Sequence, residues 1–423
     1  MKNYRLGTHR AVPPQETLDR VLPHLPAMGI TRLANITGLD EIGIPVMTAC
    51  RPNSKSISVS QGKGVSLAAA KVSATMEAIE IFHAENIHLP VQFTSLTELK
   101  KLHDVVDITQ LPSMDVSPFS AHERRLWIEG RALATNNAIY VPYDLVHCDF
   151  TIPLPPASGY FQLSTNGLAS GNTQEEAICH GLCELIERDA MTLWSLLPVL
   201  QKNAKKVDLS SISDTSIQTL IAQITKAKVM ISVWNITSDL GIPTFFCTIM
   251  NEQDSPHRPL YPSSGCGTHP SKTVALSRAI TEAAQTRLTL ISGSRDDASI
   301  ELYKQLQDSN YQQVIKDTVF APPPNLDFNS IKSWEHVTID EDLSLLLNQL
   351  VKVGLDNPIV VDLTKAEFNI PVVRVIAPGL EGIHDVPGYA FGQRAQCLQQ
   401  KQNCKKERQT TSLAEHKQEG TTL

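Results

Sequence analysis

The segment that decides the fold is ASGNTQEEAICHGLCELIERDA, residues Ala169 to Ala190. Its glycine-bearing start and the apolar spacing after it predict a helix over residues 174–196. In this helix Glu184 and Glu187 follow His180 at i+4 and i+7, and Glu176 lies one turn earlier. Those offsets place the side chains on one helix face. Because the other positions are mostly apolar, the acidic stripe is predicted to face the protein rather than bulk water.

The same spacing occurs on two more predicted helices, over residues 66–86 and 273–292. Each follows a glycine-bearing segment, as the first helix does. The stripes on these two helices are Ser73, Glu77 and Glu80, and Arg278, Glu282 and Gln285. A solvent-exposed face is the alternative interpretation, because glutamates on a helix usually face water.

Stacked carboxylates need a compensating charge, since like charges one turn apart cost roughly 0.2–0.5 kcal/mol per pair. Arg188 and Arg278 are too few to neutralise all the glutamates of the three stripes. Mg²⁺ takes carboxylate oxygens and is usually shared with substrate phosphates. The stripes therefore predict a site for magnesium and a nucleotide.

The common nucleotide and nucleophile motifs are missing. Around Lys63 no glycine lies five residues before Gly62, and Gly64 stands where a P-loop has Ser or Thr, so a tight turn is expected. Asn166–Gly167 and Ser170–Asn172 could present backbone N–H groups to phosphate at the following helix. GxSxG and HExxH are absent. Cys266 is predicted to occupy a structural turn.

The eight cysteines form no CxxC pair, and Cys179 and Cys183, which flank His180, are predicted to be buried rather than to bind a metal. The net charge of −7 argues against a nucleic-acid binder. No apolar run approaches the ~20 residues of a membrane span. The first residues have no apolar signal region, so a cytoplasmic protein is expected.

The predicted elements indicate a mixed α/β (α+β) protein. A short helix is expected over 14–22, and strands over 44–50, around 57–59, and over 140–146, 228–237, 242–250, 359–363 and 371–376. Because the stripes extend from residue 73 to 285, we expect one large intertwined catalytic unit over 61–395. Residues 1–60 are expected to be integrated with it, and 396–423 to form a polar disordered tail.

At these residues the chain resembles the YcaO family. The resemblance rests on SATMEAIE (Ser73 to Glu80), the segment quoted first, and ALSRAITEAAQTR (Ala275 to Arg287). It implies the YcaO fold with three site-forming helices, ATP and Mg²⁺ as cofactors, and activation of a peptide backbone amide. The ATP-binding residues it implies are Arg10, Thr17, Ser73, Asn172, Arg188, Arg278 and Gln285. The implied metal ligands are Glu77, Glu80, Glu176, Glu184, Glu187 and Glu282. His180 departs from the serine that often heads the second motif and is left out of the site.

The resemblance further implies that no covalent enzyme nucleophile is required, because ATP phosphorylates the amide oxygen after a nucleophile attacks. The runs GTHR, GITRLANITGLDEIGIPV and RPNSKSISVSQGKG are similar to YcaO proteins that work with a TfuA partner. The segment after PVVRVIAPGLEG also lacks the PxPxP ending of azoline-forming enzymes. We therefore expect thioamide formation from external sulfide on a ribosomally made peptide or protein, with a TfuA-like partner.

Two other functions stay open. Azoline cyclodehydration uses a Cys, Ser or Thr side chain of the substrate as the nucleophile. A non-catalytic scaffold of a maturation complex has no need for stacked carboxylates. The sulfur donor is not named by the sequence, and homodimerisation is an expectation drawn from the family alone. Peptide recognition is expected in residues 87–160 or 296–357, or in a partner.

Overall fold

The structure is a computed structural model and describes residues 8–116, 118–253, 262–295 and 299–404. Its helices are α1 (Pro14–Val21), α2 (Leu67–Glu85), α3 (Leu96–Leu99), α4 (Gln174–Ser195), α5 (Val199–Asn203), α6 (Thr215–Lys226), α7 (Lys272–Ser292), α8 (Ile300–Gln307), α9 (Ser309–Ile315), α10 (Ile339–Lys352) and α11 (393–404). Its strands are β1 (Arg32–Asn35), β2 (Val46–Cys50), β3 (Val59–Lys63), β4 (Val91–Ser95), β5 (Ser113–Met114), β6 (Arg124–Ala132), β7 (Ala138–Pro142), β8 (Leu168–Ser170), β9 (Val207–Asp208), β10 (Val229–Asn235), β11 (Thr244–Asn251), β12 (Ser263–Thr268), β13 (Leu326–Asp327), β14 (Ile359–Asp362), β15 (Val372–Ile376) and β16 (Tyr389–Ala390). The predicted mixed α/β class is confirmed.

One structural unit occurs twice. An antiparallel sheet of order β1-β2-β3 leads into α2, and a second sheet of order β10-β11-β12 leads into α7. In each unit the last strand packs directly on the helix that follows it. The two stripe-bearing helices therefore start from the same kind of support.

Glycines allow this close packing. A Cβ atom on Gly62 would lie 1.9 Å from the Ala74 backbone nitrogen in α2. On Gly267 it would lie 2.1 Å from the Ala275 carbonyl oxygen in α7. The contacting helix positions are alanines, so strand and helix backbones approach more closely than any larger residue permits.

The third stripe helix, α4, packs on a larger sheet of order β4-β6-β14-β15-β8, in which β7 also pairs with β6. The Thr173 side chain accepts a hydrogen bond from the Glu176 N–H and caps the N-terminus of α4. Ala177, Leu182 and Ile186 are buried with residues of β14, β15 and α10. The apolar face of α4 is thus covered, which leaves its acidic stripe directed at α2 and α7.

Several local predictions are wrong. Gly62 and Lys63 belong to β3 rather than to a tight turn, and Cys266 lies in β12 rather than in a loop. Both segments pair along their length with β2 or β11, and only their glycines gave a turn-like appearance. The predicted strand over 140–146 ends at Pro142 and continues as a 3₁₀ turn.

The predicted disordered tail is wrong for residues 396–404, because these continue α11. Arg394 anchors this helix by pairing with Asp189 of α4 and with Asp239, at 2.8 Å and 2.5 Å. The buried Ala395 N–H donates to the Glu381 carboxylate at 2.8 Å. Residues 405–423 lie outside the described part of the chain. Among the described residues no helix is long and apolar enough to span a bilayer.

Candidate functional site

The three striped helices α2, α4 and α7 surround one cavity of about 650 Å³, which the N-terminal segment and α1 border on one side. Every residue predicted for the nucleotide and the metal lies on its wall. These residues are Arg10, Thr17, Ser73, Glu77, Glu80, Asn172, Glu176, Glu184, Glu187, Arg188, Arg278, Glu282 and Gln285. Residues more than 270 positions apart in the chain therefore converge at one place, whereas their roles toward ATP and Mg²⁺ stay a prediction.

Glu176 is held by three donors at the N-terminus of α4. Arg10 Nη1 donates to its Oε1 at 3.1 Å, the Ala11 N–H donates to Oε2 at 2.8 Å, and Asn172 Nδ2 donates to Oε1 at 3.1 Å. Asn172 Oδ1 in turn accepts from Thr17 Oγ1 at 2.8 Å and from Arg20 Nη2 at 3.1 Å. Because its oxygens are already occupied, Glu176 is better placed to orient Arg10 and Asn172 than to bind a metal directly.

Glu80 and Glu184 are oriented by the glycine-bearing segment before α4. Glu80 Oε1 accepts hydrogen bonds from the Ser170 N–H at 2.8 Å and from Ser170 Oγ at 2.6 Å. Glu184 Oε2 accepts from the Gly167 N–H at 3.1 Å. Two of the backbone groups predicted to cradle phosphate thus donate to carboxylates instead.

Glu282 of α7 makes an ion pair that the sequence analysis missed. Lys63 Nζ lies 2.6 Å from Glu282 Oε2, and the Cys266 N–H donates to Oε1 at 3.3 Å. The sequence predicts a turn at Lys63, and a residue in a turn has no predicted side-chain direction, so Lys63 is absent from the predicted site residues. The strand alternation of β3, with Lys63 next to Gly62, is the signal that could have placed it on the cavity wall.

Several carboxyl groups on the cavity wall have raised pKa values, because they are buried close to one another. Burial raises the pKa of Glu77 to about 7 and that of Glu80 to about 8. Burial and the neighbouring Glu282 raise the pKa of Glu187 to about 7. Burial acts to lower the pKa of Arg188, but the carboxylates of Glu187 and Glu184 outweigh it and raise that pKa. The carboxylates outnumber the cations that face them.

This donor set fits Mg²⁺. Carboxylate oxygens from Glu77, Glu80, Glu184, Glu187 and Glu282 come from three helices and border one cavity. Carboxyl groups whose pKa is raised release protons when a cation binds, and their oxygens then become ligands.

Polar atoms left without a partner fit a nucleotide. Nε of Arg188, Nε of Arg278 and Oε1 of Gln285 are buried and make no hydrogen bond. Arg278 Nη2 contacts His180 Nε2 at 3.2 Å, and burial lowers the pKa of His180, so this imidazole is a neutral acceptor. His180, which the sequence analysis left out, therefore lies on the cavity wall and orients Arg278.

The thiols near the site are not activated. Burial raises the pKa of Cys266 well above that of a free cysteine and raises the pKa of Cys183 to about 12. A different group in the described chain, His9, His269 and Asp342, brings three potential metal-ligand atoms within 4.8 Å of one another. However, His269 Nδ1 accepts the Ser271 N–H at 2.9 Å, which places the proton of the neutral ring on Nε2 and disfavours metal ligation there.

Known proteins resemble this chain over most of its length. A family model described as YcaO cyclodehydratase, ATP- and Mg²⁺-binding, matches residues 61–381. An uncharacterized protein in the tfuA 3′ region of Rhizobium leguminosarum bv. trifolii is 37% identical over 377 residues, which are 88% of each chain. An uncharacterized protein of Methanothermobacter thermautotrophicus is 33% identical over 379 residues, covering 88% of this chain and 95% of that one.

Two solved structures share the fold. The YcaO protein from Methanopyrus kandleri, bound with AMPPCP and Mg²⁺, superposes with a TM-score of 0.73 at 22% identity, over 93% of this chain and 98% of that one. A heterocyclase in complex with substrate and cofactor gives a TM-score of 0.74 at 24% identity over 91% of this chain, which spans about half (54%) of the heterocyclase. The chain therefore belongs to the YcaO family, and its cofactors are ATP and Mg²⁺.

Proposed function

We propose that this protein converts a backbone amide of a peptide or protein to a thioamide, with ATP, Mg²⁺ and external sulfide, together with a TfuA-like partner. The observation that carries the proposal is the convergence of five carboxylates with Arg10, Arg188 and Arg278 on one cavity. Such a cavity suits phosphoryl transfer, which needs positioning and charge stabilisation rather than covalent chemistry by the protein.

We assign these residues three proposed roles toward the metal and the nucleotide. Glu77, Glu80, Glu184, Glu187 and Glu282 are proposed to hold Mg²⁺. Arg10, Arg188 and Arg278 are proposed to neutralise the phosphates, since Arg188 and Arg278 each keep one unpartnered donor in the wall. Thr17, Ser73, Asn172 and Gln285 are proposed to orient the nucleotide, and Glu176 keeps Arg10 and Asn172 in place.

ATP supplies the phosphoryl group that turns the amide oxygen into a leaving group. Sulfide attacks the amide carbon, the oxygen departs as phosphate, and a C=S bond replaces the C=O bond. The products are the thioamide, ADP and phosphate. The protein holds the reactants close together, and no side chain has to form a bond to the substrate. The raised pKa values of Cys266 and Cys183 agree with that division of labour.

The relative in the tfuA 3′ region supports the choice of nucleophile and partner. A protein so similar over 88% of both chains makes a TfuA-like protein the first candidate for sulfur delivery. An azoline-forming cyclodehydratase is the second candidate function, and the description of the family model favours it. Both reactions use the same cavity and differ in the nucleophile.

Radiolabelled sulfide separates these candidates. The purified protein and a TfuA-like partner are incubated with ATP, Mg²⁺, the label and a protein extract of the host from which the gene has been deleted. Thioamide formation predicts ATP-dependent incorporation of the label into peptide and the mass change of oxygen replaced by sulfur. A mass loss of one water without label refutes the thioamide and supports the azoline. No modification, together with no ATP turnover, points to the scaffold function instead.

A matched variant tests the cavity itself. Glu184→Gln keeps the size of the side chain and its acceptor toward the Gly167 N–H but removes the charge. We expect phosphate release from ATP to fall to background while the circular dichroism spectrum stays unchanged. Glu129→Gln, the same change on an exposed residue of β6, is the control. Phosphate release by Glu184→Gln at the wild-type rate would refute the placement of Mg²⁺.

A further inference from the structure

Lys63 is a buried-site cation without a role in the reaction described above. It lies at the end of β3 and borders the cavity. Its Nζ is 2.6 Å from Glu282 Oε2, and the two side chains are 20% and 23% exposed, respectively. The ion pair therefore faces the same space in which Mg²⁺ and the phosphates are proposed to bind.

The geometry at Glu282 puts Lys63 in competition with a metal. One carboxylate oxygen accepts the Cys266 N–H at 3.3 Å, and the other accepts from Lys63 at 2.6 Å. A metal that takes Oε2 with full strength has to displace the ammonium group, because two cations would otherwise share one oxygen. A lysine can leave, since its charge is carried on a flexible four-carbon chain.

A displaced ammonium group has a second partner available in the loaded site. Nucleotide phosphates bring negative charge to the cavity together with Mg²⁺, and lysine is a common phosphate ligand. Glu77 and Glu187 border the same cavity as Lys63, and their carboxylates attract its charge, which acts to lower the pKa of both acids.

We propose that Lys63 is a placeholder cation that neutralises Glu282 in the empty site and moves to a phosphate oxygen of ATP when Mg²⁺ binds Glu282. This inference rests on the proposed placement of Mg²⁺ and ATP in the cavity and not on the identity of the nucleophile. A purely structural ion pair between β3 and α7 is the competing explanation.

The two explanations predict different changes in two affinities when Lys63 is replaced, the affinity for Mg²⁺ and the affinity for an ATP analogue. Isothermal titration calorimetry is run with MgCl₂ alone on the nucleotide-free protein, and with a non-hydrolysable ATP analogue at saturating Mg²⁺. For Lys63→Met we expect Mg²⁺ alone to bind about three- to tenfold more tightly, because its competitor is gone. The analogue should bind about tenfold more weakly, because a charged contact to phosphate is lost.

Three further variants complete the test. Lys63→Arg keeps the charge and should keep the affinity for the analogue within about threefold of wild type. Lys55→Met removes a lysine that pairs with Asp149 at 2.9 Å outside the cavity, and it should change neither constant. If Lys63→Met does not fold by circular dichroism, Lys63→Gln replaces it in both titrations.

The proposal is overturned if the two affinities of Lys63→Met weaken together, or if neither changes. Tighter Mg²⁺ binding with unchanged analogue binding overturns the move to phosphate. Neither titration uses sulfide, peptide or a TfuA-like partner, so failure of the thioamide reaction leaves this result standing. Absence of Mg²⁺-dependent analogue binding in the wild type refutes the site placement itself.

Discussion

Glu80→Gln is expected to stabilise the metal-free protein while weakening its Mg²⁺ site. The pKa of Glu80 is raised from 4.5 to about 8 by burial, and each pKa unit corresponds to about 1.36 kcal/mol. The stability contributed by the protonated form is complete below about pH 4.5 and is lost as the pH rises through 8. Above pH 8 the full shift costs about 5 kcal/mol, and partial solvent exposure reduces this to about 2–4 kcal/mol.

The glutamine side chain removes this cost because it is never charged. Its oxygen can still accept the two hydrogen bonds from Ser170, so little else is lost. Urea denaturation in EDTA at about pH 9 should show Glu80→Gln more stable than wild type by about 2–4 kcal/mol, with the difference closing near pH 4.5. In Mg²⁺ and an ATP analogue the order should reverse, since wild type gains binding energy that the variant lacks.

Glu129→Gln is the matched control, because Glu129 is exposed on β6 and should change stability by less than about 0.5 kcal/mol at any pH. A Glu80→Gln variant that is less stable than wild type in EDTA at alkaline pH would contradict the cost of ionising Glu80. A stability difference of the same size at both ends of the pH range would contradict it as well, since a buried titrating carboxyl requires the difference to change with pH.

Three further predictions test the surrounding fold. Gly62→Ala should destabilise the protein by about 3 kcal/mol or more in urea, because its Cβ would lie 1.9 Å from the Ala74 nitrogen; an unchanged midpoint contradicts the close packing of β3 on α2. Arg394→Ala should cost about 3–5 kcal/mol by leaving the buried Asp189 unpaired, and adding Asp189→Asn should recover much of this loss; additive losses would contradict the pairing. His83 should titrate by NMR near pH 4, because burial and the charge of Lys365 lower its pKa more than the Ile79 carbonyl and Glu367 raise it. The stability contributed by the neutral imidazole is complete above about pH 6.5 and falls toward pH 4. A titration near pH 6.5 would contradict the burial of His83.

The striped helices could be predicted because their information is local. Offsets of four and seven residues fix a helix face whatever the helix packs against, so Glu77, Glu184 and Glu282 could be assigned to one site before the fold was known. Their convergence on one cavity did not follow from spacing alone. It depends on strand order, which joins residues far apart in the chain.

Two of the missed strands have an ambiguous sequence signal. The strands β3 and β12 contain glycines that usually mark turns, and only the tight contact with the following helices explains them. The sheet strands β4 and β6 and the helices α6 and α10 were not predicted, although both helices are amphipathic and α10 begins with a capping box formed by Thr338 and Glu341. Lys63 was missed together with β3, because the direction of a side chain cannot be predicted for a residue that is expected to lie in a turn.

Because α2 contacts Gly62 near Ala74, a small tilt of the helix about this contact produces a larger displacement at its far end. The contact is at Ala74, and Glu80 lies six residues further along the helix, a distance of about 9 Å at 1.5 Å per residue. A tilt of α2 by only about 6° about this contact would move the Glu80 carboxylate by about 1 Å, a displacement large enough to disturb a catalytic arrangement. Glycine at this strand position therefore determines where the acidic groups of α2 lie. A substitution that changes only this packing can lower the activity without touching a ligand-binding residue.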